Sequence, residues 1–204
     1  MEKKLRLGFL ASGRGSNLQA ILQACRDGRL RAVPAVVISN NADSGALALA
    51  GHDALPACHL SSKTHSDPDA LDEAIAAVLQ KHDVDLVVLA GYMKKIGPAT
   101  LRTYRYRIIN IHPALLPHYG GKGMYGLTVH EAVIKSGEKE SGATVHLVEE
   151  DYDSGLILAQ RRVPVHSGDT AATLAARVLE TEHALYVDVL RDIIEGVIQL
   201  PVQL

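Results

Sequence analysis

Cysteine is scarce: Cys25 and Cys58 are the only two in 204 residues. Two thiols supply no disulfide framework and fit a reducing compartment. Cys25 also falls on the apolar stripe of a helix, where it is expected to be core. Charge of one sign is lacking too. The formal net charge is −2, with 21 Lys and Arg against 23 Asp and Glu. With no basic stripe present, bulk nucleic acid and membrane surfaces are not expected partners. No run approaches the ~20 apolar residues of a transmembrane span. The start Met1–Glu2–Lys3–Lys4 resembles the opening of a secretory leader, but the apolar run behind it stops by Ser12, too short for one. Repeats, linkers and low-complexity tracts are missing. With 47% hydrophobic and 22% charged residues, the expectation is one soluble, cytoplasmic domain over 1–204 with a substantial core.

What the chain does have is an alternation of strand and helix. Leu5–Ala11 is a short apolar run, followed by Ser12–Gly13–Arg14–Gly15–Ser16–Asn17. Leu18, Ile21, Leu22 and Cys25 then recur at i, i+3, i+4 and i+7, the stripe of an amphipathic helix. Strand, glycine turn and helix together present backbone N–H groups and a helix N-terminus to an anion. Ser16 or Asn17 is expected to cap the helix, with a side chain in reach of a phosphate. Leu18 stands where a Rossmann fingerprint has its third glycine, and no Gly-Lys-Ser/Thr follows. Neither a dinucleotide motif nor a Walker loop is complete.

Residues 33–39 read as a second strand, 40–45 as a turn into a small Ala-rich helix, and 56–60 as a third strand. Asp67–Pro68–Asp69 starts a helix with the stripe Leu71, Ile75, Val78, Leu79. The apolar run 84–90 suits a strand covered on both faces, and 91–98 a loop. Residues 129–136 form a short helix. His130–Glu131 there invites a zinc reading, but position 134 is Ile, so the HExxH spacing fails and no metal is expected. Strands at 143–148 and 156–165 are joined by Glu149–Glu150–Asp151–Tyr152–Asp153–Ser154–Gly155, close enough to pair antiparallel. A final helix over 170–196 carries Leu174, Val178, Leu185 and Val189 on one stripe. Glu182 sits inside that stripe, a carboxylate that needs a partner or a polar cavity. The fold class that follows is α/β: a Rossmann-like, doubly wound sheet, mostly parallel, with an antiparallel C-terminal edge.

The candidate site lies in Arg107–Ile108–Ile109–Asn110–Ile111–His112–Pro113. Ile108, Ile109 and Ile111 suit a buried strand. Asn110 and His112, two residues apart, share one face of it. Pro113 marks where pairing stops. An amide NH₂ and an imidazolium NH side by side can both donate to one oxygen, as an oxyanion site requires. Ligands of doubly wound sheets lie beyond the carboxyl ends of the strands, where both this pair and the Gly13–Asn17 turn fall.

Taken together, Gly13–Arg14–Gly15–Ser16–Asn17–Leu18–Gln19–Ala20, Asn110–Ile111–His112–Pro113–Ala114–Leu115–Leu116–Pro117 and Asp153–Ser154–Gly155 resemble the phosphoribosylglycinamide formyltransferases, folate-dependent enzymes of purine synthesis. The similarity continues through Leu89–Ala90–Gly91–Tyr92–Met93 and Glu180–Thr181–Glu182–His183–Ala184. It implies the formyltransferase fold and these roles. Asn110, His112 and Asp153 match the catalytic trio. Gly13, Gly15, Ser16, Asn17, Leu18 and Gln19 match the ribonucleotide-phosphate site, and Glu182 a contact to the same substrate. Met93, Lys94, Lys95 and Ile96 line up with the folate pocket, to which Asn110 and Asp153 also belong. The part up to about residue 104 would then hold the phosphate loop and sheet, and 105–204 the catalytic and folate-binding groups.

The implied reaction moves the formyl group of 10-formyltetrahydrofolate, a co-substrate, to the amine of phosphoribosylglycinamide, without a metal. Asp153 is expected to raise the His112 pKa by charge attraction and to accept a proton from the attacking amine. Small molecules are the expected partners, with the chain a monomer or homodimer. Two departures stand out. Relatives commonly carry Pro-Gly-Leu-His where this chain has Gly120–Gly121–Lys122–Gly123–Met124–Tyr125–Gly126, and Pro68 takes the place of an arginine that touches folate in some of them. The alternatives are a formyltetrahydrofolate hydrolase, whose relatives carry a preceding regulatory domain, a methionyl-tRNA formyltransferase, which needs an appended basic domain, and a non-catalytic folate- or nucleotide-binding module.

Overall fold

The computed structural model describes residues 4–202; Met1, Glu2 and Lys3 of the basic start lie outside the described residues. Seven strands form one sheet in the order β3-β2-β1-β4-β5-β6-β7. They are β1 (Leu5–Ala11), β2 (Ala32–Ser39), β3 (Ala57–His59), β4 (Leu86–Leu89), β5 (Ile108–His112), β6 (Glu140–Leu147) and β7 (Ile157–Pro164). β1 to β5 pair in parallel, while β6 and β7 add an antiparallel edge. The helices are α1 (Ser16–Arg26), α2 (Gly45–His52), α3 (Pro68–Lys81), α4 (Pro98–Thr103), α5 (Leu127–Lys135) and α6 (Ala171–Ile194). The expected doubly wound architecture is therefore present.

Strand alternation splits the core into two layers. Leu7, Phe9 and Ala11 of β1, Leu86 and Val88 of β4, and Ile109 and Ile111 of β5 face one layer, shared with Leu18, Ile21, Leu174, Val178 and Tyr186 of α1 and α6. Leu10, Val87, Leu89 and Ile108 face the other, shared with Ile75 and Leu79 of α3. Burying this much aliphatic surface on both faces is the main drive for folding. The Tyr186 hydroxyl lies 3.1 Å from the Leu89 carbonyl and 3.0 Å from that of Ile109, joining α6 to the centre of the sheet.

The second layer thins out at β5. Residues 108, 110 and 112 share that face, but only Ile108 is in its core. Likewise Ala143, Val145 and Leu147 of β6 face the first layer, which turns Thr144 and His146 to the same face as Asn110 and His112. Tyr119 and Gly121 of the loop after β5 and Asp153 of the β6–β7 connection lie at this corner.

Among the local details that differ from expectation, three stand out. The cap of α1 is Gly15 in the left-handed region (φ 79°), with no side-chain hydrogen bond, not Ser16 or Asn17. A side chain at 15 would crowd the Ala46 backbone at 3.0 Å, and the left-handed turn suits glycine. α4 had no counterpart in the sequence pattern. It is fixed by buried Asp72, whose carboxylate accepts the N–H groups of Ala99 (2.6 Å) and Thr100 (3.2 Å). β6 begins at Glu140, three residues before the apolar run that announces it.

Candidate active site

The sheet's topological switch point lies between β1 and β4, where chain direction divides and ligands of such folds collect. There Ser12 donates its N–H to the Gly91 carbonyl (3.0 Å) and accepts the Met93 N–H on its hydroxyl (2.7 Å). The Gly13 carbonyl accepts the Ala46 N–H (3.2 Å), pinning the turn against α2. With no side-chain cap, the first N–H groups of α1 are left without a side-chain acceptor, the arrangement that binds anions. Ser16 lies half-buried and Gln19 exposed at this end. The Leu18 side chain is fully buried in the core, leaving its backbone to face the turn.

Asn17 and Glu182 meet across α1 and α6. The Asn17 Nδ2 donates to Glu182 Oε2 at 2.8 Å, and both residues are buried. Burial pushes the Glu182 carboxyl up to about 7, while the Asn17 donor pulls it down. The Asn17 Oδ1 has no hydrogen-bond partner among the described residues.

The sequence-predicted trio converges at the open corner of β5. Asp153 comes from the β6–β7 connection with a left-handed backbone (φ 56°). Its side chain is 12% exposed, and its Oδ2 lies 3.6 Å from His112 Nδ1. The Gly121 N–H donates to that same oxygen at 2.8 Å. The other nitrogen of His112, Nε2, donates to the Tyr119 carbonyl at 2.7 Å. Since a carbonyl can only accept, Nε2 carries a hydrogen, and the nitrogen facing Asp153 is the one that can gain or lose a proton.

A second histidine completes the cluster. His146 stands directly opposite Asn110 in the β5–β6 ladder, its Nε2 3.1 Å from Asn110 Nδ2 and 3.5 Å from Asp153 Oδ1. Thr144, opposite His112, accepts the Leu116 N–H (3.1 Å) and donates to the Ala114 carbonyl (2.6 Å). It thereby holds the turn that contains the cis Leu116–Pro117 bond.

Burial is the largest influence on His112 and lowers its pKa; Asp153 and the Tyr119 carbonyl push the other way and lose. The expected rise is thus present as one contribution, outweighed because the ring is taken out of water. Burial would raise Asp153, but the close approach of His146 and His112 and the Gly121 N–H together keep it below the usual carboxylate range. The ligand-free cluster is a neutral imidazole beside a carboxylate.

Beside the cluster, two loops face each other. Met93, 56% exposed, stands on the β4–α4 loop, and Tyr152, 49% exposed, on the β6–β7 loop. Lys95 Nζ lies 5.8 Å from the centre of the Tyr152 ring. Exposed apolar side chains on opposing rims suit a flat aromatic ligand. Lys94 is exposed on the same loop, whereas Ile96 is buried in the core below it. A cavity of about 500 Å³ adjoins, with His59, Lys63, Tyr92, Lys94 and Lys95 in its walls; Asn110, His112 and Asp153 are not part of it.

The structure thus brings Asn110, His112 and Asp153 together, and adds His146, the Tyr119 carbonyl and the Gly121 N–H. His146 was legible in principle. Ala143, Val145 and Leu147 alternate with Thr144 and His146, the period-two pattern of a strand with one polar face. The two backbone groups carried no residue-type signal.

Known proteins agree with this architecture. Residues 5–190 match the formyl transferase family. A chloroplastic phosphoribosylglycinamide formyltransferase of Vigna unguiculata is 44% identical over 95% of this chain, which spans 62% of that protein's length. That of Haemophilus influenzae is 39% identical over 96% of this chain and 90% of its own. The crystal structure of glycinamide ribonucleotide transformylase 1 from Symbiobacterium toebii superimposes with a TM-score of 0.90 at 40% identity, covering 97% of this chain and 91% of that one. A family match over residues 5–190, a relative 39% identical over nearly the whole of both chains and a solved structure at a TM-score of 0.90 lead to one conclusion: this chain belongs to the formyl transferase family.

Proposed function

We propose that this chain transfers the formyl group of 10-formyltetrahydrofolate to the amine of 5′-phosphoribosylglycinamide, giving phosphoribosyl-N-formylglycinamide and tetrahydrofolate in purine biosynthesis. The observation that carries the reading is Asp153, turned inward to within 3.6 Å of His112 from 41 residues further along the chain. A binding module has no use for that trio. The names of the relatives support the choice of substrates.

In this reading the phosphate rests on the uncapped N–H groups of α1, between Gly13 and Gln19, and Glu182 with Asn17 contacts the ribonucleotide. The pteridine enters between Met93 and Tyr152, along Lys94 and Lys95 and above Ile96. As the amine adds to the formyl carbon, negative charge develops on the formyl oxygen. Asn110 Nδ2 and His112 Nδ1 donate to it; one such donor is typically worth about 3–4 kcal/mol. Because Nε2–H is spent on Tyr119, His112 can donate from Nδ1 only as the imidazolium. Asp153 supplies the charge that favours this form against burial. The amine sheds a proton to Asp153 as it becomes the product amide, and the departing folate nitrogen takes a proton in return. We take 1–204 as a single catalytic domain, with the phosphate loop and sheet up to about residue 104 and the catalytic and folate groups beyond it. We place it in the cytoplasm as a monomer or homodimer acting on small molecules.

The test is to mix the protein with a 10-formylfolate, with and without phosphoribosylglycinamide, and follow folate release. Release that requires the amine is expected. Release at equal rate without it makes the chain a hydrolase, and binding without release makes it a binding module; either outcome overturns the proposal.

A further inference from the structure

His146 has no part in the mechanism above, yet it is only 2% exposed and touches two of the three catalytic side chains. Its hydrogen bonds fix its tautomer. Nδ1 lies 2.8 Å from the Leu147 carbonyl, an acceptor only, so Nδ1 holds the hydrogen. In the neutral ring Nε2 is then a bare lone pair. Asn110 Nδ2 is 3.1 Å away and can give that lone pair a hydrogen, whereas ionised Asp153, at 3.5 Å, cannot.

An Asn side chain is nearly symmetric in shape but opposite in chemistry at its two ends. With Oδ1 turned to the site, it would repel the oxygen that gains charge; with NH₂ there, it donates. The bond to His146 occupies one N–H of that NH₂ and leaves the second free. We infer that His146 is a positioning residue for formyl transfer: as a fixed hydrogen-bond acceptor it holds the Asn110 amide with its NH₂ end, not its oxygen, toward the formyl group. The inference rests on the proposed function. It adds that the donor end of Asn110 is set by a partner across the strand pair.

The experiment is a double-mutant cycle of His146→Phe and Asn110→Ala, with His146→Gln as the rescue, reading kcat and KM for the amine. His146→Phe keeps a ring but no acceptor, and is expected to lower kcat about 10- to 100-fold with KM within about threefold. His146→Gln, whose Oε1 accepts, recovers most of the rate. In the Asn110→Ala background His146→Phe costs less than about twofold, since no amide remains to orient. Equal losses in both backgrounds make His146 merely structural and overturn the inference alone. Full activity in Asn110→Ala itself removes the oxyanion role and overturns the proposed function with it. Imidazole ¹⁵N spectra of the unmodified protein check the same point without any substitution: Nδ1 protonated and Nε2 bare is expected, and a protonated Nε2 with bare Nδ1 overturns the inference.

Discussion

Replacing Asp153 by Asn separates the charge of this residue from its shape. Asparagine keeps an oxygen for the Gly121 N–H, now 2.8 Å from the carboxylate, so the loop has no reason to move. What is lost is a negative charge 3.6 Å from His112 Nδ1. At an effective dielectric near 20, that charge stabilises an imidazolium by about 4–5 kcal/mol. His112 is already held low by burial, so without Asp153 the donating form becomes rarer still. Allowing for relaxation, about 3–4 kcal/mol should reach the transition state, a loss of roughly 10²–10³-fold in kcat. KM for either substrate should stay within a few-fold. The pH profile should move as well: the imidazolium of the variant needs more acid, so its remaining activity rises as pH falls, over a range where the unmodified enzyme is flatter. Steady-state rates of folate release from pH 6 to 8.5, for both proteins, carry the test. Unchanged kcat with unchanged pH dependence would refute the assignment of charge stabilisation to Asp153.

Three further outcomes follow from particular contacts. A Cβ on Gly120 would lie 2.5 Å from Leu116 Cδ2 and 3.2 Å from Asp153 Cβ, so Gly120→Ala should displace Asp153 and lower kcat about tenfold or more; kinetics beside a thermal melt decide, and an unchanged kcat counts against it. Glu182 has a folded pKa near 7 against an ordinary 4.5, so its contribution to stability is full below pH 4.5 and is lost as pH rises through 7. Glu182→Gln should therefore match the unmodified protein in Tm at pH 4–5 and exceed it at pH 8, by up to about 3 kcal/mol in stability; equal melting curves at both pH values would contradict this. Tyr186→Phe removes the hydroxyl from between the Leu89 and Ile109 carbonyls and should cost about 1–2 kcal/mol in denaturant unfolding, whereas no change would mean the bonds are not net stabilising.

The fold was legible because its signals are local. The apolar runs of β1 and β5, the stripes of α1 and α6 and the Pro start of α3 all carry their own periodicity. α4 escaped because a buried carboxylate on another helix, Asp72, holds it in place. Within the site, Asn110 and His112 could be paired by strand geometry alone, and Glu182 marked itself by sitting on an apolar stripe. Asp153 could be placed only by resemblance, since four acidic residues in a turn read equally well as solvated. The capping of α1 depended on a left-handed Gly15 packed against Ala46, a contact across the chain that no local rule supplies. The Tyr119 carbonyl and Gly121 N–H depend on the path of a glycine-rich loop, and backbone groups leave no trace in residue identity.

The account turns on where the transferred carbonyl sits. A crystal structure with phosphoribosylglycinamide and an unreactive 10-formylfolate analogue measures this directly. The account predicts the formyl oxygen at about 3 Å from both Asn110 Nδ2 and His112 Nδ1, with Asp153 still turned inward and the phosphate on the first N–H groups of α1. A formyl group bound in the neighbouring cavity beside His59 and Lys63, out of reach of Asn110 and His112, would contradict it.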